Sequence, residues 1–552
     1  MSRMSKLTKT PKSEILLRPN LNHLTAKQSR WLWVLFCLVL ITGVVFRFTN
    51  LDYKAYWHDE SMTSIRIAGH LESNLIENIF NGREVSVEEL KKYSHPDPGG
   101  TVIDTLQALA IDDPKHPPLF YAMSRLWLEV FGPSVKAMRG FAALLSLLVF
   151  PAAYWLCREL FRPPEIGFVA VLLMAVSPFH LLYAQEAYQY GLWTVTILLA
   201  AAALWRAVRV QSARSWGLFA LTAALALYTH SLSTVVIVGH SVFVVGISLR
   251  KHQPNKLRLV VSYLLALLAG VALFMPWGLL ILRRLPQIPI EVRFLSNPIP
   301  FSALLTVWTR NLMYLFVDTG AVLFKSDSNF LGGASLVIFG LIAYAGYFFW
   351  RTANANTRWF LLTLTGTMFI SFATADLVLG GRRSAIPRYL IPSYLGVQIL
   401  VAHLIGTRLR SPLLLQRRIW STTLALLLVS GIASCVIILK ADTWWNKYTG
   451  PETIRIANVI NQTTRPLLIS DKTDSNIGNL IALSQRLKPE VRLRLYSTPG
   501  PLVAPEGFSD VFLFNPSPQL QQLFAANYRL DPVIEKKLWR VQHAPSQLAD
   551  IE

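Results

Sequence analysis

Long apolar runs dominate this chain and restrict its fold more than any other feature. A helix that crosses a bilayer needs about 20 apolar residues. Backbone in lipid must satisfy its own hydrogen bonds, which leaves helices or closed barrels. The runs are Trp31–Val45, Ala137–Leu156, Gly167–Tyr183, Gly191–Trp205, Trp216–Tyr228, Val235–Ile247, Leu259–Leu282, Ala334–Trp350, Trp359–Leu379, Leu390–Ile405 and Trp420–Leu439. They predict a polytopic α-helical membrane protein with about eleven transmembrane helices. The runs within 216–247 are short, and one more candidate lies in Phe301–Phe324. Composition agrees: 15% of residues are charged and mean hydropathy is +0.39, against roughly 25% charged in soluble proteins.

The charge pattern sets the orientation. Lys+Arg 53 against Asp+Glu 32 gives a net +21, and in a membrane protein such an excess marks cytoplasmic loops. The clusters Arg158/Arg162, Arg206/Arg209/Arg214, Arg250/Lys251/Lys256/Arg258, Arg351/Arg358 and Arg408/Arg410/Arg417/Arg418 fall where an odd span count places inside loops. An even count would put loop 50–136 and the chain after Leu439 on opposite sides. No compact basic-plus-aromatic motif appears, which excludes nucleic acid as a partner. Cys37, Cys157 and Cys435 all lie in apolar runs, so no disulfide framework is expected. The N-terminus resembles a signal peptide in being basic and then apolar, but Phe46-Arg47-Phe48 offers no small-residue cleavage site. The expected organisation is a cytoplasmic basic tail over 1–30, a transmembrane catalytic region over 31–439 with external loop 50–136, and a small extracytoplasmic α/β domain over 440–552. In the last, Arg465–Ser470, Val491–Tyr496 and Asp510–Phe514 read as strands, and Asn476–Leu487 and Pro518–Ala526 as helices.

Four constellations sit on the expected outer face. Tyr56-Trp57-His58-Asp59-Glu60-Ser61 follows the first run and opens a helical pattern at Met62, Ile65, Ala68 and Leu71. Read plainly it is a helix start, with Asp59 as the cap and two aromatics at the membrane interface. Read for function it fixes two carboxylates there. Asp113-Pro114-Lys115-His116-Pro117-Pro118 is either a proline-rich break before a helix or a polar loop of a site. Glu186, within Tyr183-Ala184-Gln185-Glu186-Ala187-Tyr188-Gln189-Tyr190, is the one formally charged residue between Ile166 and Trp205. A charge at membrane depth costs roughly 2.5–3.5 kcal/mol or more, so Glu186 is either a solvated hairpin tip or functional. Arg283, Arg284 and Arg293, and then Arg382, Arg383 and Arg388, stand on the side that disfavours basic residues. They need an acidic partner or an anionic ligand, and the planar fork of Arg suits phosphate.

The acidic pair, the His-Pro-Pro-Leu loop, the Tyr-Ala-Gln-Glu hairpin, Tyr228-Thr229-His230 and Pro387-Arg388-Tyr389-Leu390 stand in an order that resembles GT-C glycosyltransferases. Within them the likeness is to the branch of protein O-mannosyltransferases and lipid A aminoarabinose transferases, over roughly residues 25–440. The resemblance implies an inverting transferase that takes a sugar from a polyprenyl phosphate on the outer face. It matches Asp59 to the family's catalytic carboxylate, Glu186 to its second acidic position and His116 to the histidine of the mannosyltransferase loop, with Lys115 able to stand for the lysine of the aminoarabinose branch. Together with the charge pattern, the expected catalytic residues are Asp59, Glu60 and Glu186, and the expected substrate contacts are Lys115, His116, Tyr190, Arg382, Arg383, Arg388 and Tyr389. Tyr188 departs from the pattern, since many relatives carry a basic residue there.

The chemistry fits these residues. An acceptor hydroxyl needs a base within roughly 2.6–3.2 Å, and Asp59 is the candidate. Phosphate leaves as a stable anion, so positive charge around it is needed more than a general acid. His58, His116 and the acids could ligate a divalent metal, but no standard ligand spacing appears and no metal is assigned. The expected partners are a polyprenyl-phosphate sugar, a lipid, glycan or protein acceptor, and membrane lipids. The expected place is a bacterial plasma membrane, with the site facing the periplasm or exterior. The competing reading is a transporter or flippase for a lipid-linked sugar, against which stands the lack of a repeat between halves.

Overall fold

Every one of the apolar runs folds as helix, and length then sorts them. The computed structural model describes residues 26–250, 255–286, 293–320, 328–473, 475–498 and 507–543. The tail expected over 1–30 therefore lies, through residue 25, outside the described residues. Among the described residues, seven helices are long and apolar enough to cross a membrane: Val135–Leu160, Tyr190–Val210, Lys256–Arg284, Gly333–Thr352, Ala355–Leu379, Pro387–Arg408 and Leu414–Lys440. The bent pair Pro164–Ala175 and Pro178–Ala184 makes up to eight. The expected count of about eleven is not reached by length, because the runs at 216–228 and 235–247 form helices of 17 and 16 residues. The described apolar part of the first helix, Trp33–Phe48, is short as well.

Burial places the helices. Pro387–Arg408 is 89% buried over its most apolar stretch and Tyr190–Val210 is 78% buried, so both run through the centre. Lys256–Arg284 and Gly333–Thr352 are only 22% buried. Their outward Leu265, Leu268, Leu336 and Val337 present the apolar surface a lipid-facing helix needs.

The bent pair turns by 62° because Pro178 has no amide hydrogen to continue the first helix. That leaves orphan carbonyls at the end of Pro164–Ala175. Arg47 answers them, donating to the carbonyls of Ala175 (2.9 Å) and Met174 (3.1 Å). Two glycines let neighbours close on this break: a Cβ on Gly43 would meet the Ala175 oxygen at 2.5 Å, and one on Gly431 the Val176 oxygen at 2.6 Å. The break carries Tyr183-Ala184-Gln185-Glu186 to one end of the bundle.

At that end sits a six-stranded sheet of order β1-β3-β2-β4-β6-β5. Its strands are β1 (Asn81–Ser86), β2 (Pro466–Asp471), β3 (Arg492–Tyr496), β4 (Asp510–Phe514), β5 (Tyr528–Ile534) and β6 (Leu538–His543). β2 pairs in parallel with β3 and β4 and is buried throughout. β1 comes from the loop expected at 50–136 and pairs antiparallel with β3. Ile65, Leu75, Ile79, Phe80 and Val85 share one core with Ile456, Leu468, Ile481 and Leu493. A shared core cannot straddle a bilayer, so loop and tail lie on one side. An even number of crossings separates them, and the arrangement that would put them on opposite faces is excluded.

Candidate active site

The site forms where the His58–Ala68 helix, the 185–190 hairpin and the loop after Lys440 meet. The helix begins at His58, with Trp57 extended at its cap and no side-chain cap bond. Asp59 is thus not the cap that the sequence suggested. It lies in the first turn with Glu60, where the helix dipole favours negative charge.

Successive helical residues point about 100° apart, and the two acids meet different surroundings. Glu60 turns inward and is fully buried. Arg139 grips it with two bonds of 2.7 Å, from Nε to Oε1 and from Nη2 to Oε2. Lys447 Nζ donates to Oε2 at 2.7 Å and the Ala187 amide to Oε1 at 2.9 Å. Burial alone would raise the Glu60 carboxyl, but Arg139 and Lys447 outweigh it and hold it well below the usual carboxylate range. Both oxygens of Glu60 are engaged and neither reaches solvent. Asp59 keeps 22% of its side chain exposed and pairs with Arg388 Nη2 at 3.2 Å.

Arg388 is nearly buried, within 5.3–5.9 Å of the ring centroids of Trp57, Tyr389 and Tyr190. Its Nε has no hydrogen-bond partner among the described residues. Glu186 is also fully buried. Its Oε2 accepts from Asn446 at 2.9 Å, and Oε1 has no partner among the described residues. Burial pushes the Glu186 carboxyl above the usual range, with Lys447 opposing and Glu60 adding to the rise. Both amide atoms of Gln189 are likewise buried and unpartnered. Buried polar atoms in this state cost roughly 1–3 kcal/mol each, and their clustering marks a place for a polar ligand.

A second chain of groups borders the first. Asp113 pairs with Arg66 at 2.8 Å and with Lys115 at 3.2 Å. Its Oδ2 lies 3.0 Å from His116 Nδ1, and His116 Nε2 is 2.9 Å from the Tyr188 hydroxyl. Burial opposes the Asp113 charge, but Arg66, His116 and Lys115 hold its carboxyl well below the usual range. Tyr188 stacks on Tyr190 at 4.7 Å. Trp277 Nε1 donates to the Pro114 carbonyl at 2.9 Å and Ser231 to that of Lys115, which pins the His-Pro-Pro loop to the bundle.

Asp59, Glu60, Glu186, Lys115, His116, Tyr190, Arg388 and Tyr389 are thus brought together, and Arg382 and Arg383 are not. Arg383 pairs with Asp376 at 3.1 Å and donates to Ser296 at 3.0 Å. Arg382 Nε donates to the Phe294 carbonyl at 3.2 Å. Both bond to the turn at 293–296, and Arg383 ties that turn to the end of the Ala355–Leu379 helix, away from the Asp59–Arg388 pair. The sequence reading missed Arg66, Asn446 and Lys447 as site residues. Lys447 carried one usable signal, a lysine just past a span on the side where basic residues are disfavoured. Among the described residues no group of three His, Cys, Asp or Glu is placed to hold a metal ion.

Residues 115–279 match the family model of dolichyl-phosphate-mannose-protein mannosyltransferases. No curated protein matches the sequence. Among solved structures, ArnT from Cupriavidus metallidurans bound to undecaprenyl phosphate is similar at a TM-score of 0.52 and 14% identity, over 94% of this chain and 99% of that one. Apo ArnT from the same organism gives 0.51 and 13%, with the same coverage. At these identities the likeness is one of fold: the chain has the fold of ArnT, a GT-C glycosyltransferase, and the GT-C resemblance read from its motifs is met by both the family model and the fold.

Proposed function

We propose that this protein is an inverting glycosyltransferase that moves a sugar from a polyprenyl-phosphate donor to an acceptor hydroxyl on the outer face of the membrane. The observation that carries the reading is the pairing of Asp59 with Arg388 at 3.2 Å, at the bundle end beneath the sheet. It sets a partly exposed carboxylate beside a guanidinium whose Nε lacks a partner. Binding of undecaprenyl phosphate by ArnT and the mannosyltransferase family match support the donor class.

In this reading the donor phosphate binds Arg388, with Lys115, His116 and Tyr188 beside it. Asp59, released from Arg388, accepts the proton of the acceptor hydroxyl as its oxygen attacks the anomeric carbon. The bond from that carbon to the phosphate oxygen breaks on the opposite face, the configuration inverts, and polyprenyl phosphate leaves as the anion. Glu186 is the second carboxylate, offering its unpartnered Oε1 to the sugar. Glu60 holds the frame. The sugar rings can rest on Tyr190 and Tyr389, and the polyprenyl tail stays in lipid, so only the head group enters.

The test is purified full-length protein in detergent with a panel of polyprenyl-phosphate sugars and acceptors, following release of polyprenyl phosphate. Turnover of no donor, with lipid-linked sugar instead crossing proteoliposome membranes, would favour the transporter reading. Orientation has its own test in a background lacking Cys37, Cys157 and Cys435. A cysteine at Ser475 should label with an impermeant maleimide in intact cells, and one at Lys256 should not.

A further inference from the structure

We propose that Asn446 and Lys447, on the strap that follows the last membrane helix, are positioning residues: Asn446 fixes Glu186, and Lys447 supplies the cation that allows Glu60 and Glu186 to be buried side by side. The proposal rests on the glycosyltransferase reading above for its effect on turnover, but not for its effect on the two carboxylates.

The strap is held in place independently of the acids. Trp444 is fully buried, and the indole N–H groups of Trp444 and Trp445 both donate to Asp318 Oδ2, at 2.8 and 2.7 Å. Trp445 stacks on Tyr314 with centroids 4.8 Å apart. The Ala55 amide donates to the Asp442 carbonyl at 2.7 Å, and Asn50 Nδ2 to that of Leu439 at 3.0 Å. From this fixed backbone Asn446 Nδ2 reaches Glu186 Oε2 at 2.9 Å and Lys447 Nζ reaches Glu60 Oε2 at 2.7 Å. Both side chains are about as buried as the acids they touch. Neither bond is one a chain makes for solubility: a buried ammonium costs several kcal/mol before its partners repay it.

The charges facing Glu186 come from every element around it. Asp59 and Glu60 come from the His58–Ala68 helix, Arg139 from Val135–Ser146, Arg388 from the turn at 387–390, and Lys447 from the strap. Lys54, nearly buried and 3.5 Å from Gln185 Oε1, stands next to Glu60 and is pushed down to about 7 by burial and by Arg139 and Lys447. Tyr183 and Tyr190 complete the wall. Of the cations, Lys447 opposes the upward push on Glu186 most strongly. Without it Glu60 still has the fork of Arg139, whereas Glu186 is left with Asn446 and the weaker pull of Arg388. The strap therefore supplies both a hydrogen bond to Glu186 and a cation bonded to its neighbour Glu60.

The experiment is an infrared difference titration of the full chain in detergent, with the Glu186 band assigned by its loss in Glu186→Gln. Lys447→Met should move the midpoint of that band upward by about one pH unit or more, and Lys447→Arg should restore much of it. Where the wild type turns over donor, the acid limb of kcat/KM should move with the band. Turnover should fall about tenfold while donor KM changes little. Asn446→Ala removes a single neutral donor and keeps the fold within reach if Lys447→Met does not assemble. It should raise the same midpoint, since the lost bond favours the ionised form. Folded variants with an unmoved Glu186 midpoint and an unmoved pH profile would overturn the proposal and leave the strap a mere tether. A wild type that transfers nothing would sink the transferase reading, while the infrared titration would still decide the role of Lys447 and Asn446.

Discussion

Asp59 and Arg388 lie 3.2 Å apart as an ion pair, so the proposed base and the proposed phosphate ligand occupy one another. In the proposed reaction a donor phosphate would compete with Asp59 for Arg388 and, on binding, free the carboxylate for the acceptor, so that donor binding would come first.

Asp59→Asn separates these two roles. The amide cannot take the acceptor proton, and turnover should fall by about 10²–10⁴, the usual weight of a general base. Donor affinity should stay level or rise, because Arg388 loses a competing anion. Measured turnover near wild type would remove Asp59 as the base.

The arginines at 382–388 divide by their partners. Arg388→Ala should weaken donor binding roughly ten- to a hundredfold, the loss of a charge-assisted bond of about 1.5–3 kcal/mol. Arg388→Lys should recover part of this, since it keeps the charge without the planar fork. Arg382→Ala should bind donor as wild type does, since Arg382 donates to Phe294 instead. Equal losses at both positions would place the phosphate elsewhere.

Tyr188→Phe tests the chain that runs from Asp113 through His116. It removes one hydroxyl and keeps the stacking on Tyr190. Donor affinity should drop by about two- to tenfold, the net worth of a neutral hydrogen bond, with the fold intact. Unchanged affinity and turnover would mean the hydroxyl serves only to orient His116.

Glu186 gives a stability signature with a fixed sign. Burial raises its folded carboxyl above the ordinary 4.5. Between those two values the native state holds more protons than the unfolded state, so this group costs stability as pH rises. The Tm of Glu186→Gln relative to wild type should therefore increase from about pH 4.5 upward and level off above the folded value. A Tm difference that is constant with pH would show that the carboxyl titrates normally.

The apolar helices were legible because their length and apolarity are properties of contiguous sequence, and Asp59, His116, Glu186 and Arg388, which the fold brings near one another, could be picked out because each sits in a short distinctive motif. What escaped depends on contacts between distant residues. Glu60 and Asp59 are neighbours in sequence, and only the position of Arg139 assigns one to the frame and the other to the opening. Arg383 and Arg388 look alike in the sequence, but Asp376, seven residues upstream, claims the first. β1 escaped for a different reason: of Asn81–Ser86 only Val85 is fully buried, so no alternating apolar pattern announces an edge strand. Lys447 could not be tied to Glu60 from 387 residues away.

The pairing of Asn81 with Tyr496 orders events during biosynthesis. β1 is made early, with its hydrogen-bonding edge open, and its partner is made only after the last apolar helix. Contacts so far apart in sequence are slow to form, and an open edge invites wrong partners meanwhile. The nascent chain must therefore be shielded until β3 is made, and any chain cut short before β3 lacks the partner that closes that edge.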